Sequence, residues 1–284
     1  MLAHLYRPAT AQEIDFYHSH LYPLQDSVLA VVAHFGDTLY LTGGTALARF
    51  HFQHRLSDDL GFFTQGGRVE QIANELIARL QEAGYGVEVE QLSAWFARFY
   101  VIQQGTRLKI DLVRDAHLTG PLTRIPQGGY ANGLLDIGAN KVTAFEDRAE
   151  IKDILDLFYI TRQHSLTTLF TLAEQKRVPV AYEQLLTINQ TGISGMALLT
   201  KSVDENALET FVVQLQQAAE DEVKKKEQEA QAAIEQVVID LLWDFPSEER
   251  RISKRSSPVL RRRLPQLALP RRRALEKALA AVDG

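Results

Sequence analysis

Two aspartates in strand-like segments could hold a metal ion together. Asp59 opens the short apolar run "DLGFF", and Asp111 lies in "LKIDLV" (108–113) between apolar neighbours. A strand is a rigid support for its side chains, and residues on neighbouring strands can face one ion. Mg²⁺ prefers one or two protein carboxylates together with the phosphate oxygens of a substrate. The sequence therefore predicts Asp59 and Asp111 as metal ligands.

A glycine turn precedes these acids. Gly43 and Gly44 stand before Thr45, where a β-rich segment ends and a short helix is expected, and Arg55 and Ser57 follow shortly before Asp59. Glycines let a phosphate approach the backbone N–H groups at the positive end of a helix. We therefore predict that these five residues, Gly43 to Ser57, bind the phosphates of a nucleotide.

One position in this arrangement lacks a carboxylate. Residues i and i+2 of a strand point to one face, so two acids spaced in this way could share a metal. Two residues after Asp59, however, the chain has Gly61. Asp58 is adjacent to Asp59, and the pleat sends it to the other face unless a bulge intervenes. The site is therefore expected to bind metal weakly.

The stretch "LTGGTALARFHFQHRLSDDLGFF" (41–63) resembles the polymerase-β-type nucleotidyltransferase superfamily, and specifically the AbiEii/AbiGii toxin family, whose pattern runs "GGTAL…HR.S.DLDFF". "ANKVTAFEDRAEIKDILDLFYI" (139–160) is similar to a later motif of that family, a Lys followed by Arg and then K/R-D-x-x-D-L-Y. The resemblance implies an α+β fold, with a nucleotidyltransferase-type mixed β-sheet, flanking helices and an α-helical C-terminal region.

The resemblance also implies roles for the acids and the turn. Gly44 and Thr45 would contact phosphate. Asp59 would be the first metal carboxylate, and Asp111 would be the third acid, assisting the incoming hydroxyl. The family has Asp at the position of Gly61, as the carboxylate that commonly bridges two metals, so this departure puts the complete metal site in doubt.

The later motif implies a second set of catalytic residues. Lys141 would reach the triphosphate as a point charge. Asp153 and Asp156 lie three residues apart on one face of a predicted helix, and they would orient Lys141 or help to close the nucleotide pocket. The alternative is that Asp153 pairs with Arg148 or Lys152 and only ties helices together.

The function implied is transfer of a nucleoside monophosphate from an NTP to a hydroxyl of RNA, such as tRNA, or of a protein, with Mg²⁺ as cofactor. The family resemblance further implies the toxin of a toxin–antitoxin pair, opposed by a cognate antitoxin. The alternative is a catalytically inactive NTP- or RNA-binding module. Gly61 favours this alternative, whereas the retention of Asp59, Asp111, Lys141 and Asp156 favours the enzyme.

The composition excludes several other classes. The chain of 284 residues has no Cys, so it has neither disulfides nor a thiolate site. No apolar run approaches the ~18 residues of a spanning helix, and the N-terminus does not resemble a signal peptide. We therefore expect a soluble, cytoplasmic protein. His51 and His54 lack further ligands for zinc, and we interpret them as surface histidines.

Basic residues are concentrated near the C-terminus. Residues 250–273 contain ten Arg or Lys and no acid, which leaves 21 basic and 36 acidic residues elsewhere. A basic arm on an acidic body indicates a polyanionic partner. We predict RNA binding through Arg250, Arg251, Lys254, Arg255, Arg261, Arg262, Arg263, Arg271, Arg272 and Arg273. The alternative is docking of the arm on the acidic surface of the protein itself.

Periodicity divides the chain into a mixed first part and a helical second part. Predicted strands cover 38–42, 59–63, 85–92, 97–105 and 107–115, and predicted helices cover 11–35 with a break at Pro23, 45–52, 69–84, 138–163, 166–176, 180–200 and 204–242. We predict a nucleotidyltransferase α/β domain (1–133), a helical domain that completes the nucleotide site (134–249) and a basic arm (250–284).

Overall fold

A mixed β-sheet with flanking helices forms the centre of the protein, which confirms the predicted α+β class. The computed structural model describes residues 2–115, 117–146, 149–176, 180, 182–188, 192–243, 261, 272–273, 275–277 and 279–280. The chain forms two compact units, residues 1–219 and 220–284. The three-part domain division predicted from sequence stays a prediction.

The strands described are β1 (Tyr6–Pro8), β2 (Tyr40–Thr42), β3 (Asp59–Thr64), β4 (Gly86–Leu92), β5 (Phe96–Gln103), β6 (Thr106–Arg114), β7 (Thr123–Arg124), β8 (Tyr130–Ala131) and β9 (Ala197–Leu199). The helices described are α1 (Ala11–Phe16), α2 (Tyr22–Val32), α3 (Gly43–Thr45), α4 (Val69–Glu82), α5 (Leu134–Thr143), α6 (Ile151–Ile160), α7 (Leu166–Gln175), α8 (Tyr182–Leu186) and α9 (Glu205–Trp243).

Seven strands form the main sheet in the order β4-β5-β6-β3-β2-β8-β7. The central strand β3 pairs in parallel with β6 and antiparallel with β2. Its pairing with β6 is continuous from Asp59 to Thr64, so no bulge interrupts β3 there. The strands that carry the two candidate metal ligands are therefore immediate neighbours.

The two faces of the sheet differ sharply. Side chains of β3 and β6 alternate between buried and half-exposed, and the fully buried ones include Leu60, Phe62, Ile110 and Leu112. Helix α4 packs against β4, β5 and β6 on the buried face, because its apolar residues recur at helical spacing. Burying each large apolar side chain contributes about 1.5–3 kcal/mol. The opposite face carries Asp59, Gly61 and Asp111.

Helices α5, α6 and α7 form a second packed layer. Nine residues of α6, including Asp153 and Asp156, are buried. In α5 a Cβ added to Gly138 would come within 2.6 Å of Leu169, so the glycine allows α5 and α7 to approach closely. This layer places charged residues of α5 and α6 inside the protein.

Two helix predictions need correction. The helix predicted over 180–200 is wrong beyond Leu186, because Ala197–Leu199 form β9 and pair in parallel with β1. The helix does not break at Pro23 as predicted. A π-helical segment, Tyr17–Leu21, instead joins α1 to α2. Pro23 lies in the first turn of α2, where its missing N–H costs little.

Within the described residues, no helix is both long and apolar enough to cross a membrane. Of the predicted RNA-binding residues, Arg261, Arg272 and Arg273 are described, and all three are exposed and helical. The others lie outside the described residues, namely Arg250, Arg251, Lys254, Arg255, Arg262, Arg263 and Arg271, as does Arg148 of the later motif.

Candidate active site

The Gly43–Gly44 turn joins β2 to α3 and its π-helical continuation, Ala46–His51. Gly43 has a φ of +69°, in the left-handed region that favours glycine. Gly44 is needed for a different reason, because a Cβ at this position would overlap the guanidinium group of Arg55. The turn therefore lies directly against Arg55, and neither glycine is readily replaced.

Hydrogen bonds tie this turn to the start of β3. The Thr45 hydroxyl donates to the carbonyl of Asp59 and lies 2.9 Å from the hydroxyl of Ser57. Thr45 and Ser57 are both buried, and the side chain of Gln25 donates to the Ser57 carbonyl at 3.0 Å. Their hydroxyls therefore fix the position of the turn next to Asp59.

A buried cluster of charges lies beneath the turn. Arg55 donates two hydrogen bonds of 2.8 Å to the two carboxylate oxygens of Asp156. The Nζ of Lys141 lies 2.6 Å from both Asp153 and Asp156. All four side chains are at most 8% exposed. Lys141 thus contacts both aspartates, and Arg55 belongs to the same cluster.

Mutual neutralisation keeps this cluster charged despite burial. Burial disfavours the charged form of each group, but the contacts of Asp156 with Arg55 and Lys141 hold its pKa well below the ordinary value. The same opposition leaves the pKa values of Arg55 and Lys141 raised, because Asp156 and Asp153 outweigh burial. Two cations therefore balance two carboxylates, and removing one would leave an uncompensated buried charge.

His54 also belongs to this cluster, so its interpretation as a surface histidine is wrong. Its ring is fully buried, and Nε2 lies 2.8 Å from Asp156. Burial lowers its pKa although Asp156 acts in the opposite direction. The neutral ring then donates Nε2–H to Asp156, and Nδ1 has no hydrogen-bond partner among the described residues. Its position beside Arg55 gave no sequence signal of burial.

The second group of predicted residues lies on the half-exposed face of the sheet. The register pairs Asp59 with Lys109 and Gly61 with Asp111 across β3 and β6. The Nζ of Lys109 lies 3.0 Å from Asp59 and 3.8 Å from Asp111. Lys109, which the sequence reasoning missed, therefore lies between the two predicted metal ligands.

Arg98 on β5 is a further residue that the sequence reasoning missed. Its guanidinium donates to both carboxylate oxygens of Asp111, at 2.6 and 2.9 Å, and these bonds raise the pKa of Arg98. At Asp59, burial opposes the charge, but Lys109, Lys152 and Arg55 outweigh it and lower the pKa of the carboxyl. Both aspartates are therefore already paired with cations.

These residues, as arranged, do not fit a divalent ion. Mg²⁺ requires near-octahedral oxygen ligands, but Lys109 and Arg98 engage both carboxylates. No cluster of three or more His, Cys, Asp or Glu able to hold a metal occurs in the part of the chain that the structure describes. Asp58 does not supply the missing acid, because it precedes β3 and pairs with Lys152 at 3.4 Å. Steric crowding does not explain Gly61, since a Cβ there would be no closer than 3.9 Å to any neighbour.

Beside Arg55 a cleft of about 570 Å³ opens on the side of the π-helical segments. Its lining includes Tyr22, Arg49 and Lys201. Arg49 lies 4.6 Å from the centre of the Tyr22 ring and pairs with Asp26 at 2.7 Å. The cleft thus combines an aromatic ring with cationic side chains.

Comparison with known proteins supports the resemblance found in the sequence. The family of the nucleotidyl transferase AbiEii toxin, from a type IV toxin–antitoxin system, matches residues 28–245. No curated protein matches the sequence. MenT4, the nucleotidyltransferase toxin Rv2826c from Mycobacterium tuberculosis H37Rv, has a similar fold, with a TM-score of 0.50 and 16% identity over 71% of this chain and 83% of that one.

JHP933 from Helicobacter pylori is another similar structure, with a TM-score of 0.49 and 18% identity over 79% of this chain and 97% of that one. At such identities the structural likeness concerns the fold alone. The family match, in contrast, extends over more than half of the sequence. The chain therefore belongs to the AbiEii family of nucleotidyl transferase toxins.

Proposed function

We propose that this protein transfers a nucleoside monophosphate from an NTP to a hydroxyl group of RNA, such as tRNA, or of a protein. The observation that carries the proposal is the junction of the glycine turn with β3, where Thr45 ties the turn to Asp59. This junction brings the glycine turn to the first residue of β3, and the neighbouring strand β6 carries Asp111. Phosphate binding and proton transfer could thus occur at adjacent positions.

In this reaction the acceptor hydroxyl oxygen attacks the α-phosphorus of the NTP, the bond to the β-phosphate oxygen breaks, and pyrophosphate leaves. Asp111 is the proposed acceptor of the hydroxyl proton, because its side chain is part-exposed and lies on the same face of the sheet as Asp59. Gly43, Gly44 and Thr45 are proposed to hold phosphate through their backbone. Arg55, Ser57, Asp153 and Asp156 support the turn from below.

Two parts of the sequence-based prediction have less structural support. Lys141 is predicted to reach the triphosphate, but its ammonium is buried between Asp153 and Asp156. Mg²⁺ is the cofactor implied by the family, with Asp59 and Asp111 as ligands, yet the arrangement of these residues does not fit the ion. The proposed steps therefore involve only side chains and backbone groups of the chain itself.

RNA is the acceptor that the charge distribution favours. The cleft beside Arg55 offers Tyr22, Arg49 and Lys201, and aromatic and basic side chains together bind single-stranded nucleic acid. The basic arm, residues 250–273, would add contacts to phosphates. As a toxin-family member the protein is further proposed to act in the cytoplasm and to be opposed by a cognate antitoxin.

A catalytically inactive NTP- or RNA-binding module is the second candidate function. Two specific observations favour it. Gly61 stands where an acid ligand would be expected, and the Lys109 ammonium stands where a metal would be expected. On this hypothesis the turn and the basic surfaces still bind their ligands, but no phosphorus–oxygen bond is broken.

Incubation with α-labelled NTPs and total tRNA, with and without Mg²⁺, tests the proposal. We expect label to appear in RNA with the wild-type protein and to be lost with Asp111→Asn, which keeps the shape of the side chain. Nucleotide binding, measured separately by calorimetry, should persist in that variant. Binding without transfer in the wild type, under all conditions, would instead establish the inactive module.

A further inference from the structure

Lys109 occupies the space between the two carboxylates that the sequence predicts as metal ligands. It lies two residues before Asp111 on β6, so both side chains point to the same face. The parallel register sets it directly opposite Asp59. Its Nζ is 3.0 Å from Asp59 and 3.8 Å from Asp111, so the ammonium contacts one carboxylate and adjoins the other.

The charges at this position are already balanced. Asp59 and Asp111 contribute two negative charges, and Lys109 and Arg98 contribute two positive charges. The Lys109 ammonium forms an ion pair with Asp59 and lies beside Asp111, whose carboxylate also binds Arg98. A divalent ion entering here would meet two cations at close range, and like charges repel strongly where solvent is partly excluded.

Gly61 is a second feature that disfavours a divalent ion at this position. Its cross-strand partners are Thr42 on β2 and Asp111 on β6, so a carboxylate at this position would stand beside Asp111. With Gly61, the site has no carboxylate at this position that would compete with Lys109 for space and charge. It also has a cation between its two acids. The absence of a third acid and the presence of the cation both disfavour binding of a divalent ion.

We infer that the Lys109 ammonium takes the place of a divalent cation between Asp59 and Asp111, and that the protein binds the triphosphate of a nucleotide without a divalent ion. The nucleotide part of this inference rests on the proposed function. Lys109 then offers the triphosphate the positive charge that a bound metal would otherwise supply, with Arg98 holding Asp111 in place.

Mn²⁺ binding, followed by electron paramagnetic resonance, tests the first part without any need for catalysis. We expect no saturable Mn²⁺ binding by the wild type. Lys109→Met should bind Mn²⁺, and Gly61→Asp with Lys109→Met should bind it more tightly by roughly tenfold, equivalent to about 1.4 kcal/mol. Saturable binding by the wild type with the affinity of Lys109→Met would overturn the inference.

Two further variants serve as controls. Arg107→Met removes a positive charge from the same face of β6, where Arg107 pairs with Glu88 at 3.2 Å rather than with the two aspartates. It should not gain Mn²⁺ binding, and a gain equal to that of Lys109→Met would show a general effect of charge. Lys109→Arg keeps the cation and should also stay unable to bind Mn²⁺, which provides a test even if Lys109→Met does not fold.

Calorimetry of ATP binding in EDTA and in excess Mg²⁺ tests the second part. We expect wild-type affinities that agree within about twofold, and a clear loss of affinity in EDTA for Lys109→Met. ATP binding that requires Mg²⁺ would overturn this part. Absence of ATP binding under every condition would refute the proposed nucleotide site, whereas the Mn²⁺ measurements would still decide the role of Lys109.

Discussion

Asp156 is the residue on which the buried charge cluster depends, because it contacts His54, Arg55 and Lys141 together. A carboxylate buried in this way is costly unless each of its lone pairs has a partner. Here three donors from two distant parts of the chain supply those partners. The side chain thus joins helix α6 to the segment that leads into β3.

The first prediction is that Asp156→Asn destabilises the protein by about 3–5 kcal/mol. The amide has nearly the same shape, but Arg55 and Lys141 would then face a single carboxylate, Asp153. Urea unfolding measures the change. Asp58→Asn is the matched control, since Asp58 is 60% exposed and pairs with Lys152, and its loss should cost less than about 1 kcal/mol. Equal effects in the two variants would show that the buried cluster contributes little.

The second prediction concerns pH and His54. Burial lowers the pKa of His54 in the folded state. Below the ordinary histidine pKa of about 6.5, the unfolded chain therefore binds a proton at His54 that the folded chain does not bind. This contribution to stability is therefore present above that pH and is lost as pH falls. His54→Gln keeps a donor for Asp156 and should flatten the decline, as measured by urea unfolding between about pH 7.5 and 5.5. An unchanged slope would contradict the assignment.

Some residues of the candidate site could be predicted from the sequence, and others could not. The period of a strand predicted that Asp111 faces away from Ile110 and Leu112, and the structure places it on the same face of the sheet as Asp59. Lys109 and Arg98 were not found, because their importance arises from the register of three strands. One of the two pairings, that of β3 with β6, joins segments distant in sequence, and strand periodicity alone does not specify which strands pair or in what register.

At the scale of elements, the glycine turn connects the sheet to the helical layer. It leaves β2, passes over Arg55 and continues as the π-helical segment Ala46–His51. Arg55 reaches from beneath the turn to α6. A shift of the turn would therefore be transmitted to the position of Asp156, and a shift of α6 to the turn.

The third prediction is that Gly44→Ala disrupts this connection. The added methyl group would overlap the Arg55 guanidinium, which cannot retreat without breaking its two bonds to Asp156. We expect a loss of stability of about 1–3 kcal/mol, as for other overpacked sites, and weaker nucleotide binding. Gly66→Ala is the control, because its Cβ would be 3.7 Å from the nearest atom, on Thr38. Similar melting temperatures for the two variants would refute the prediction.

The strands and the main helices were predictable from local pattern, whereas one long helix was not. The predicted strand 59–63 and helix 69–84 agree closely with β3 and α4, since alternation and helical spacing are strong there. Residues 180–200 also have apolar spacing compatible with a helix, but the short strand β9 gains its partner from β1, nearly two hundred residues earlier. A local sequence pattern does not predict pairing between strands so far apart in the chain.

At the scale of the whole molecule, charge is divided unevenly along the sequence. Residues 250–273 contain ten basic residues, and the rest of the chain has 21 basic and 36 acidic ones. An acidic protein is expected to repel RNA, so a basic arm would be needed to attract it. The body of the protein, in contrast, holds the turn, the sheet and the charge cluster.

The fourth prediction is that a chain ending at Glu249 stays folded, keeps its nucleotide site and loses most of its affinity for tRNA. Clusters of Arg and Lys separated by Pro and Ser can follow phosphates without reading bases. Binding by the full chain should therefore depend weakly on sequence and fall with salt, by roughly one power of salt concentration per phosphate contact. Filter binding over a salt series, on both proteins, measures this loss. If the arm instead docks on the protein's own acidic surface, truncation would leave RNA affinity unchanged or give insoluble protein, and the arm would then serve the fold rather than an RNA partner.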